Sequence, residues 1–539
     1  MQTEPDLGAL TPAASDPDAD LAPELDRQIA EMPPRPRPRR MLVAAPIVLL
    51  VAGFGLQLVA WAVANPLAAS PDEPAHFTKA LGAAYGQWRG QPLIKVKPGM
   101  TAGDRFLAGT TSQFDLPLNR YIMRPSLACV VRDRVSAACQ DDVPRPPQNG
   151  IWYTHVGTYQ PFVYLPMGLA ARTASDGELA LRLARLADVA VCLALLGGAA
   201  FCAGTRWRLI GLLAAVTPMC LFMFASVTPN GPEIAGAVCF GAASLALVVG
   251  DQRRGTWIWW AVGGCVLALS KGLGPVWIAV HVVLAVLLVG PKAAARLAWS
   301  ERRRAVPAVV AVAAAAVVSA WWDVAFMPHP PTDLGEVNGN IRPAVDQLPK
   351  LLREAIGLFG WLNAPLPRFL YVAGYALLVG LILLALWVGS WRERFAVAAT
   401  VAVTIAATIA ITAGVEMPIG FLGQARLTLA VAVMVPMMCG VVISANRQRL
   451  RARVERPIAA LAVVLVVGLD AGAWWANSHR YAVGISGPWW FISQSQWHPP
   501  GGWVLVSLAA VLGALALAFG VVAATPRPAP EAAAAPVSR

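Results

Sequence analysis

The feature that most constrains this chain is a series of apolar blocks, each about twenty residues long, separated by short polar or basic segments. Hydrophobic residues make up 57% of the chain and charged residues only 14%, whereas soluble domains carry about a quarter charged residues. The pattern predicts an all-α integral membrane protein with about twelve transmembrane helices. The predicted spans are 41–64, 185–204, 207–227, 232–250, 256–270, 273–290, 305–325, 369–389, 395–413, 427–445, 457–475 and 502–524.

The remaining segments define the organisation of the chain. Residues 1–40 are rich in Pro, Asp, Glu and Ala, a composition that cannot build a core, so we expect a disordered cytoplasmic tail there and another at 525–539. Residues 41–524 then form one polytopic membrane domain. Within it, 65–180 is a large loop, for which we predict short helices and an extracytoplasmic location.

The short basic clusters support this topology. When sides alternate along the twelve predicted spans, every cluster falls on the side of the N-terminus, as the positive-inside rule expects for a bacterial plasma membrane protein with cytoplasmic termini. The formal net charge of +12 therefore does not indicate nucleic acid as a partner, because no basic face with interleaved aromatic residues accompanies it. The clusters lie near residues 206–208, 253–254, 292–304, 392–394 and 447–456.

The first candidate site directly follows the first span, in residues 70–77 (SPDEPAHF). Adjacent carboxylates beside a bilayer are costly unless they are solvated, paired or used. A helix beginning at Pro71 would place Asp72 and His76 on one face, where they could move a proton or orient a ligand. The same residues also fit a helix start, with Ser70 as N-cap and acidic residues in the first turn. The spacing leaves both interpretations open.

Three cations on the predicted outer side could bind an anion. Lys271 ends one span, Arg368 follows a Gly- and Pro-rich segment, and Arg426 follows Gln424 at the start of a late span. Arginine in such a position suits a phosphate clamp. The alternatives are snorkelling of Lys271 to the interface and a headgroup contact of Arg426.

Other residues of the outer segments are weaker candidates. His155 and Tyr159 lie late in the large loop, where they could contact a substrate. Cys129 and Cys139 could form a disulfide in an oxidising compartment, with a pair of free thiols as the alternative. The sequence contains no metal-binding or nucleotide-binding motif, so we predict no certain cofactor and leave a divalent cation open.

Three segments together resemble a large, mostly uncharacterised family of bacterial polytopic membrane proteins that is related to the GT-C glycosyltransferases. The family pattern is PDExxHF after the first span, GxxGWLDxPLP before a middle span and GxQGRY before a late span. This chain has PDEPAHF at 71–77, GLFGWLNAPLP at 357–367 and GFLGQAR at 420–426. It departs from the pattern at Asn363, Ala425 and Leu427.

The resemblance implies a GT-C-like fold and transfer of a sugar from a polyprenyl-phosphate carrier to a cell-envelope glycan or lipid-linked acceptor. It implies Asp72 as the general base, with Glu73 as second choice. The donor phosphate would be bound by Arg426, Lys271, Arg368 and Gln424. We expect His76, His155, Tyr159, Trp361 and Asn363 to contact the acceptor or sugar.

Two other functions compete with an enzyme. A transporter or flippase of a lipid-linked sugar would carry ionisable residues near the middle of its spans, and the predicted spans are largely free of charge there. A receptor or scaffold would use the large loop, but no specific sequence feature favours it.

Overall fold

A computed structural model describes residues 41–117, 120–125, 130–131, 134–140, 142–145, 151–328 and 334–524. The two predicted tails and Cys129 lie outside the described residues. Residues 1–44 and 45–539 form separate units, and the fold given below is that of residues 45–524.

The described part of the chain is predominantly helical, which confirms the predicted class. The helices are α1 (Met41–Ala64), α2 (Glu73–Ala84), α3 (Ala102–Thr110), α4 (Tyr164–Ala171), α5 (Gly177–Ala203), α6 (Arg206–Ala215), α7 (Pro218–Phe224), α8 (Asn230–Val248), α9 (Arg254–Ala268), α10 (Gly274–Val289), α11 (Pro291–Ser300), α12 (Arg302–Phe326), α13 (Leu334–Asp346), α14 (Leu348–Gly357), α15 (Arg368–Val388), α16 (Trp391–Ile411), α17 (Leu429–Ala432), α18 (Met434–Ala445), α19 (Ala452–Val483) and α20 (Gly502–Ala523). The strands are β1 (Gln91–Pro92), β2 (Ser112–Phe114), β3 (Met123–Pro125), β4 (Asp142–Arg145), β5 (Trp152–Thr154), β6 (Leu358–Phe359) and β7 (Ala364–Pro365).

Eight of the described helices are long and apolar enough to cross a membrane, and ten spans result if each of two bent pairs is one span. The predicted count of twelve is therefore not confirmed. Helices α6 and α7 meet at 69°, at the break before Pro218, and α10 and α11 meet at 105°, at Gly290 and Pro291. Helix α9 has 15 residues, about 22 Å of rise, against a hydrocarbon core of ~30 Å.

The ends of the long helices are fixed by local chemistry. The Asp176 side chain accepts a hydrogen bond of 2.9 Å from the Leu179 amide at the start of α5. Gly204, with φ of 65°, ends that helix in the left-handed conformation that glycine adopts at low cost. Helix α16 begins with a capping box between Ser390 and Glu393. These caps satisfy backbone groups that apolar surroundings would otherwise leave unpaired.

The basic clusters meet at one end of the helical bundle, which we call the basic end. There, arginines donate to backbone carbonyls at or near the ends of neighbouring helices. These bonds are Arg304 Nη1 to Gln252 O (2.8 Å), Arg392 Nη1 to Val289 O (2.9 Å) and Arg449 Nη1 to Val388 O (2.6 Å). The candidate site described below lies elsewhere, where α1 ends and α2 begins. Which membrane face either end occupies stays a prediction.

The large loop folds onto α2. A small antiparallel sheet has β2 in the centre, between β1 and β5, with Ser112 opposite Thr154 and Phe114 opposite Trp152. The Thr154 hydroxyl donates to the Ala75 carbonyl at 2.9 Å, which fixes the sheet to α2. Helix α2 in turn packs on α4, and α4 packs on α5. The sequence predicted short helices in this loop but not the sheet.

Two glycines let helices α6 and α18 approach closely. A Cβ at Gly211 would lie 2.5 Å from the Pro436 carbonyl oxygen, and one at Gly440 would lie 2.5 Å from the Trp207 carbonyl oxygen. Small residues at such contacts allow backbones to pack directly, which is a common source of helix association in membranes.

We predict that Gly440→Ala destabilises the protein by about 1–3 kcal/mol, because the added methyl group meets backbone atoms that cannot yield. Gly380→Ala is the matched control, since nothing lies within 4 Å of its Cβ position on α15. Thermal unfolding in detergent should lower the Tm of the first variant and leave that of the second unchanged or slightly raised. Equal Tm values would contradict the close packing.

Candidate active site

The first motif is fixed by a fully buried ion pair between Glu73 and Arg185. The guanidinium donates from Nε to Oε1 at 2.7 Å and from Nη2 to Oε2 at 2.6 Å, a two-point geometry that is among the strongest available to side chains. The Val227 amide adds a bond of 3.0 Å to Oε1. Both side chains are buried.

The remaining N–H groups of Arg185 donate to the last turn of α1 and to the residues that follow it. It donates to the carbonyls of Ala62 (3.1 Å), Asn65 (2.8 Å) and Pro66 (2.8 Å). The pair therefore joins the turn after α1 to α5 and to the segment before α8. Because both Glu73 oxygens already have partners, its geometry suits a positioning role better than that of a base.

Asp72 has a different environment from its neighbour. It precedes α2 with φ of 61° and ψ of 5°, a left-handed conformation that costs a non-glycine residue free energy. Its side chain makes no capping bond. The prediction of Ser70 as N-cap and Pro71 as first helical residue was wrong, because the left-handed Asp72 delays the helix to Glu73. In this conformation the Asp72 carboxylate contacts Arg426 and does not cap α2.

The carboxylate of Asp72 meets Arg426, a residue 354 positions later in the chain. Arg426 Nη2 donates to Oδ2 at 2.8 Å, and Arg426 Nη1 lies 3.5 Å from the Pro71 carbonyl oxygen. His155 Nε2 is 3.7 Å from Oδ1. The Asp72 side chain remains 30% exposed and Arg426 15% exposed. The site thus combines an accessible carboxylate with a cation that fixes its direction.

Electrostatics keep Asp72 ionised. Burial by itself raises the pKa of this carboxyl, but the charge and hydrogen bond of Arg426 outweigh it and hold the pKa below its ordinary value. Asp72 is therefore a carboxylate throughout the neutral pH range, ready to accept a proton or to orient a hydroxyl group.

His76 lies behind Asp72 in a buried aromatic environment. Its Nδ1 lies 2.8 Å from the Tyr164 hydroxyl, and its ring centroid is 6.3 Å from that of Tyr159. Burial lowers the pKa of His76 to about 3, more than nearby Asp72 raises it, and burial raises the pKa of Tyr159 to about 12. Both groups are neutral at pH 7, so they shape the wall behind Asp72 and are not charged partners of a substrate.

A narrow crevice of about 10 Å³ is lined on one side by Arg426, the partner of Asp72. Its lining includes Pro71 and Arg426 from the site, Gln424 from the late motif, and Leu358, Gly360 and Leu362 from the middle motif. The three motifs that carry the family resemblance thus meet in space, although Asp72 of the first and Arg426 of the last are 354 positions apart.

The other predicted phosphate ligands are placed differently. Lys271 forms an ion pair of 2.8 Å with buried Glu233 and a hydrogen bond with Asn230, so its charge is already compensated. Arg368 lines a separate cavity, described below. Gln424 borders the crevice, and its backbone amide donates to Glu416 at 2.9 Å.

The middle motif ties the large loop to the bundle. Trp361 Nε1 donates to the Ala68 carbonyl at 3.3 Å, and Asn363 Nδ2 donates to the carbonyls of Val130 (2.9 Å) and Val131 (3.2 Å). An amide can donate these bonds, whereas the aspartate of the family pattern could not when ionised. The structure therefore gives Asn363 a structural role, and it does not bring Asn363 into the crevice lining.

Cys139 is disulfide-bonded, whereas Cys129, its predicted partner, lies outside the described residues. The six other cysteines are free. Within the described ranges no group of three or more His, Cys, Asp or Glu side chains could hold a metal ion.

The sequence profile of the DUF2142 family, described as predicted membrane proteins, matches residues 54–435 of the chain. The chain belongs to this family. The match covers most of the membrane domain, including all three motifs. No curated protein matches the chain with significance. No solved structure does either. The link to GT-C glycosyltransferases that the motifs suggest stays a prediction.

Sequence reasoning missed Arg185 and Tyr164. Arg185 was counted as the first residue of a span beginning at 185, while α5 begins at Gly177 and places this arginine in the third turn. A charged residue inside an apolar helix is rare and is usually paired, which was the available signal. Tyr164 had no signal, because only the fold brings it to His76.

We predict that substitutions of the two adjacent acids of the first motif affect stability to very different extents. Glu73→Gln leaves Arg185 as an uncompensated buried charge and should destabilise the protein by about 3–5 kcal/mol. Asp72→Asn affects a partly exposed pair and should change stability by less than about 1 kcal/mol. Thermal unfolding of both variants in one detergent checks this. A Glu73→Gln variant as stable as Asp72→Asn would refute the structural role of Glu73.

We also predict an acid-dependent contribution of His76 to stability. Since its pKa is 6.5 when exposed and about 3 in the fold, the unfolded chain binds the proton first, and stability falls as pH drops from 6.5 towards 3. His76→Gln should reduce this slope by up to ~1.4 kcal/mol per pH unit. The matched control is exposed His498→Gln. The measurement is the free energy of unfolding at pH 6.5 and at pH 5. A slope of this free energy against pH that is the same in His76→Gln and in wild type would contradict the prediction.

Proposed function

We propose that this protein is a membrane glycosyltransferase that moves a sugar from a polyprenyl-phosphate carrier to a cell-envelope glycan acceptor. The observation that carries the proposal is the Asp72 carboxylate, which is ionised, partly exposed and paired with Arg426, a residue that lines the crevice. The family resemblance supplies the reaction class, and the meeting of its three motifs at this crevice supports it.

In this reaction the oxygen of an acceptor hydroxyl attacks the anomeric carbon of the donor sugar. The new C–O bond forms as the bond from that carbon to the phosphate oxygen breaks, and the electron pair stays on the phosphate. The hydroxyl proton passes to an Asp72 carboxylate oxygen and then to water. Attack from the face opposite the phosphate inverts the anomeric centre.

Each neighbour of Asp72 has a defined task in this mechanism. Arg426 fixes the direction of the carboxylate through its 2.8 Å bond. His155, which is exposed beside Oδ1, can contact the acceptor. Glu73 and Arg185 fix the backbone that presents Asp72. General base catalysis by a positioned side chain contributes ~10²–10⁴-fold to the rate, which is the effect asked of Asp72 here.

We predict that Asp72→Asn lowers transfer by about 10²–10⁴-fold, because the amide cannot accept the proton. The measurement is transfer of radiolabelled sugar from polyprenyl phosphate to envelope-glycan acceptors by the purified protein in detergent. Asp115→Asn is the matched control, an exposed carboxylate of the same loop. Transfer that survives Asp72→Asn at the wild-type rate would exclude Asp72 as the base.

A specific observation also favours the flippase alternative. The expectation that spans carry little charge at their centres was incomplete, since Asp188 of α5 and Asp470 of α19 are buried within long apolar helices. Buried acids of this kind mark transport pathways in other membrane proteins. The test is movement of labelled lipid-linked sugar across liposome membranes by the purified protein. The flippase function replaces the enzyme if the protein moves this lipid, if Asp188→Asn abolishes the movement and if no sugar is transferred.

A further inference from the structure

A cavity of about 460 Å³ adjoins the crevice and is rich in cations. Lys350 and Arg353 of α14 and Arg368 of α15 line it, on walls that are otherwise formed by apolar and aromatic side chains. Leu358 borders both the cavity and the crevice that leads to Asp72. The two spaces are therefore neighbours across one side chain.

The cations near the candidate site differ in whether a carboxylate partner compensates their charge. Arg426 is paired with Asp72, and Lys271 is paired with Glu233. By contrast, Arg353 and Arg368 have no carboxylate partner among the described residues. Within the described part of the chain, the guanidinium of Arg353 makes one hydrogen bond, of 3.4 Å from Nε to the Pro349 carbonyl of its own helix. The cavity thus holds two uncompensated guanidinium groups, which prefer phosphate oxygens as partners.

The surroundings of the cavity indicate an amphiphilic ligand. Val372 both lines the cavity and is 64% exposed, and the adjacent Phe369 is also 64% exposed. On α14, Leu352 is 52% exposed beside the charged Arg353. Apolar side chains exposed next to basic ones are typical of helices that lie at the membrane–water boundary. An apolar chain could leave the cavity along this face.

Lys350 connects the cavity to the loop that carries Arg426. It pairs with Glu354 at 3.2 Å and donates to the Gly423 carbonyl at 2.9 Å. Buried Glu354 in turn accepts a bond of 3.1 Å from the Ala425 amide. An anion that contacts Lys350 is thus two polar contacts from Ala425, the residue that precedes Arg426.

We infer that this cavity binds the phosphate headgroup of a single-chain or multi-chain lipid, with Arg353 and Arg368 as the principal ligands and Lys350 as the third. The orientation of the headgroup towards Asp72 rests on the proposed function, in which the ligand is the polyprenyl-phosphate donor. Under that function the phosphate stays in the cavity and the sugar extends past Leu358 towards Asp72, which requires the crevice to widen from its volume of about 10 Å³.

The test is lipid binding by the full-length protein, measured by native mass spectrometry and by thermal shift in detergent. The probes are a polyprenyl phosphate, the matching uncharged polyprenol, dioleoyl phosphatidic acid and inorganic phosphate. The variant is Arg353→Gln combined with Arg368→Gln. Arg296→Gln combined with Arg303→Gln is the control, since it removes two exposed arginines near the basic end.

We expect polyprenyl phosphate to bind at least 10-fold more tightly than polyprenol, and the cavity variant to lose this preference while the control keeps it. Phosphatidic acid that binds as tightly as polyprenyl phosphate would support the site and identify it as a general phospholipid site. Binding of polyprenyl phosphate that is unchanged in the cavity variant would overturn the inference, as would equally tight binding of inorganic phosphate alone.

These outcomes are independent of catalysis. Lipid binding that disappears with Arg353 and Arg368, in a protein that transfers no sugar, would support the cavity and reject the glycosyltransferase. Transfer that depends on Asp72 but is insensitive to both arginines, with unchanged lipid binding, would support the enzyme and reject the cavity.

Discussion

The buried pair of Glu73 and Arg185 is the interaction on which the candidate site depends. It joins the chain after α1 to α5 and to the segment before α8, and so fixes the backbone from which Asp72 projects. A buried ion pair requires nearly complete hydrogen bonding to offset desolvation. Arg185 meets that requirement with three backbone carbonyls, and the result is a rigid base for the left-handed turn at Asp72.

Two adjacent carboxylates therefore have opposite roles. Glu73 is fully buried and both of its oxygens are hydrogen-bonded, whereas Asp72 is partly exposed and accepts a hydrogen bond from Arg426. The sequence alone gives no reason to assign different roles to Asp72 and Glu73, because either residue fits the first turn of a helix. The difference arises from the conformation of one residue, since φ of 61° at Asp72 turns its side chain towards the late motif.

Much of the fold could be predicted from the apolar blocks, and Asp72 and Arg426 were both recognisable as unusual charges beside predicted spans. Their direct contact was not predictable, because nothing local connects residues that lie 354 positions apart. The bent helices were misjudged for a related reason. Hydropathy measures length and polarity, whereas the breaks before Pro218 and at Gly290 depend on backbone geometry. Arg353 escaped notice because an exposed arginine is ordinary until a cavity surrounds it.

The most direct test of the account is a cryo-electron microscopy structure of the protein in lipid nanodiscs with a polyprenyl-phosphate sugar. The account predicts density for the phosphate against Arg353 and Arg368, and density for the sugar in the crevice beside the Asp72 carboxylate. A lipid-linked sugar bound at the basic end, or between α5 and α19 next to Asp188 and away from Asp72, would contradict it.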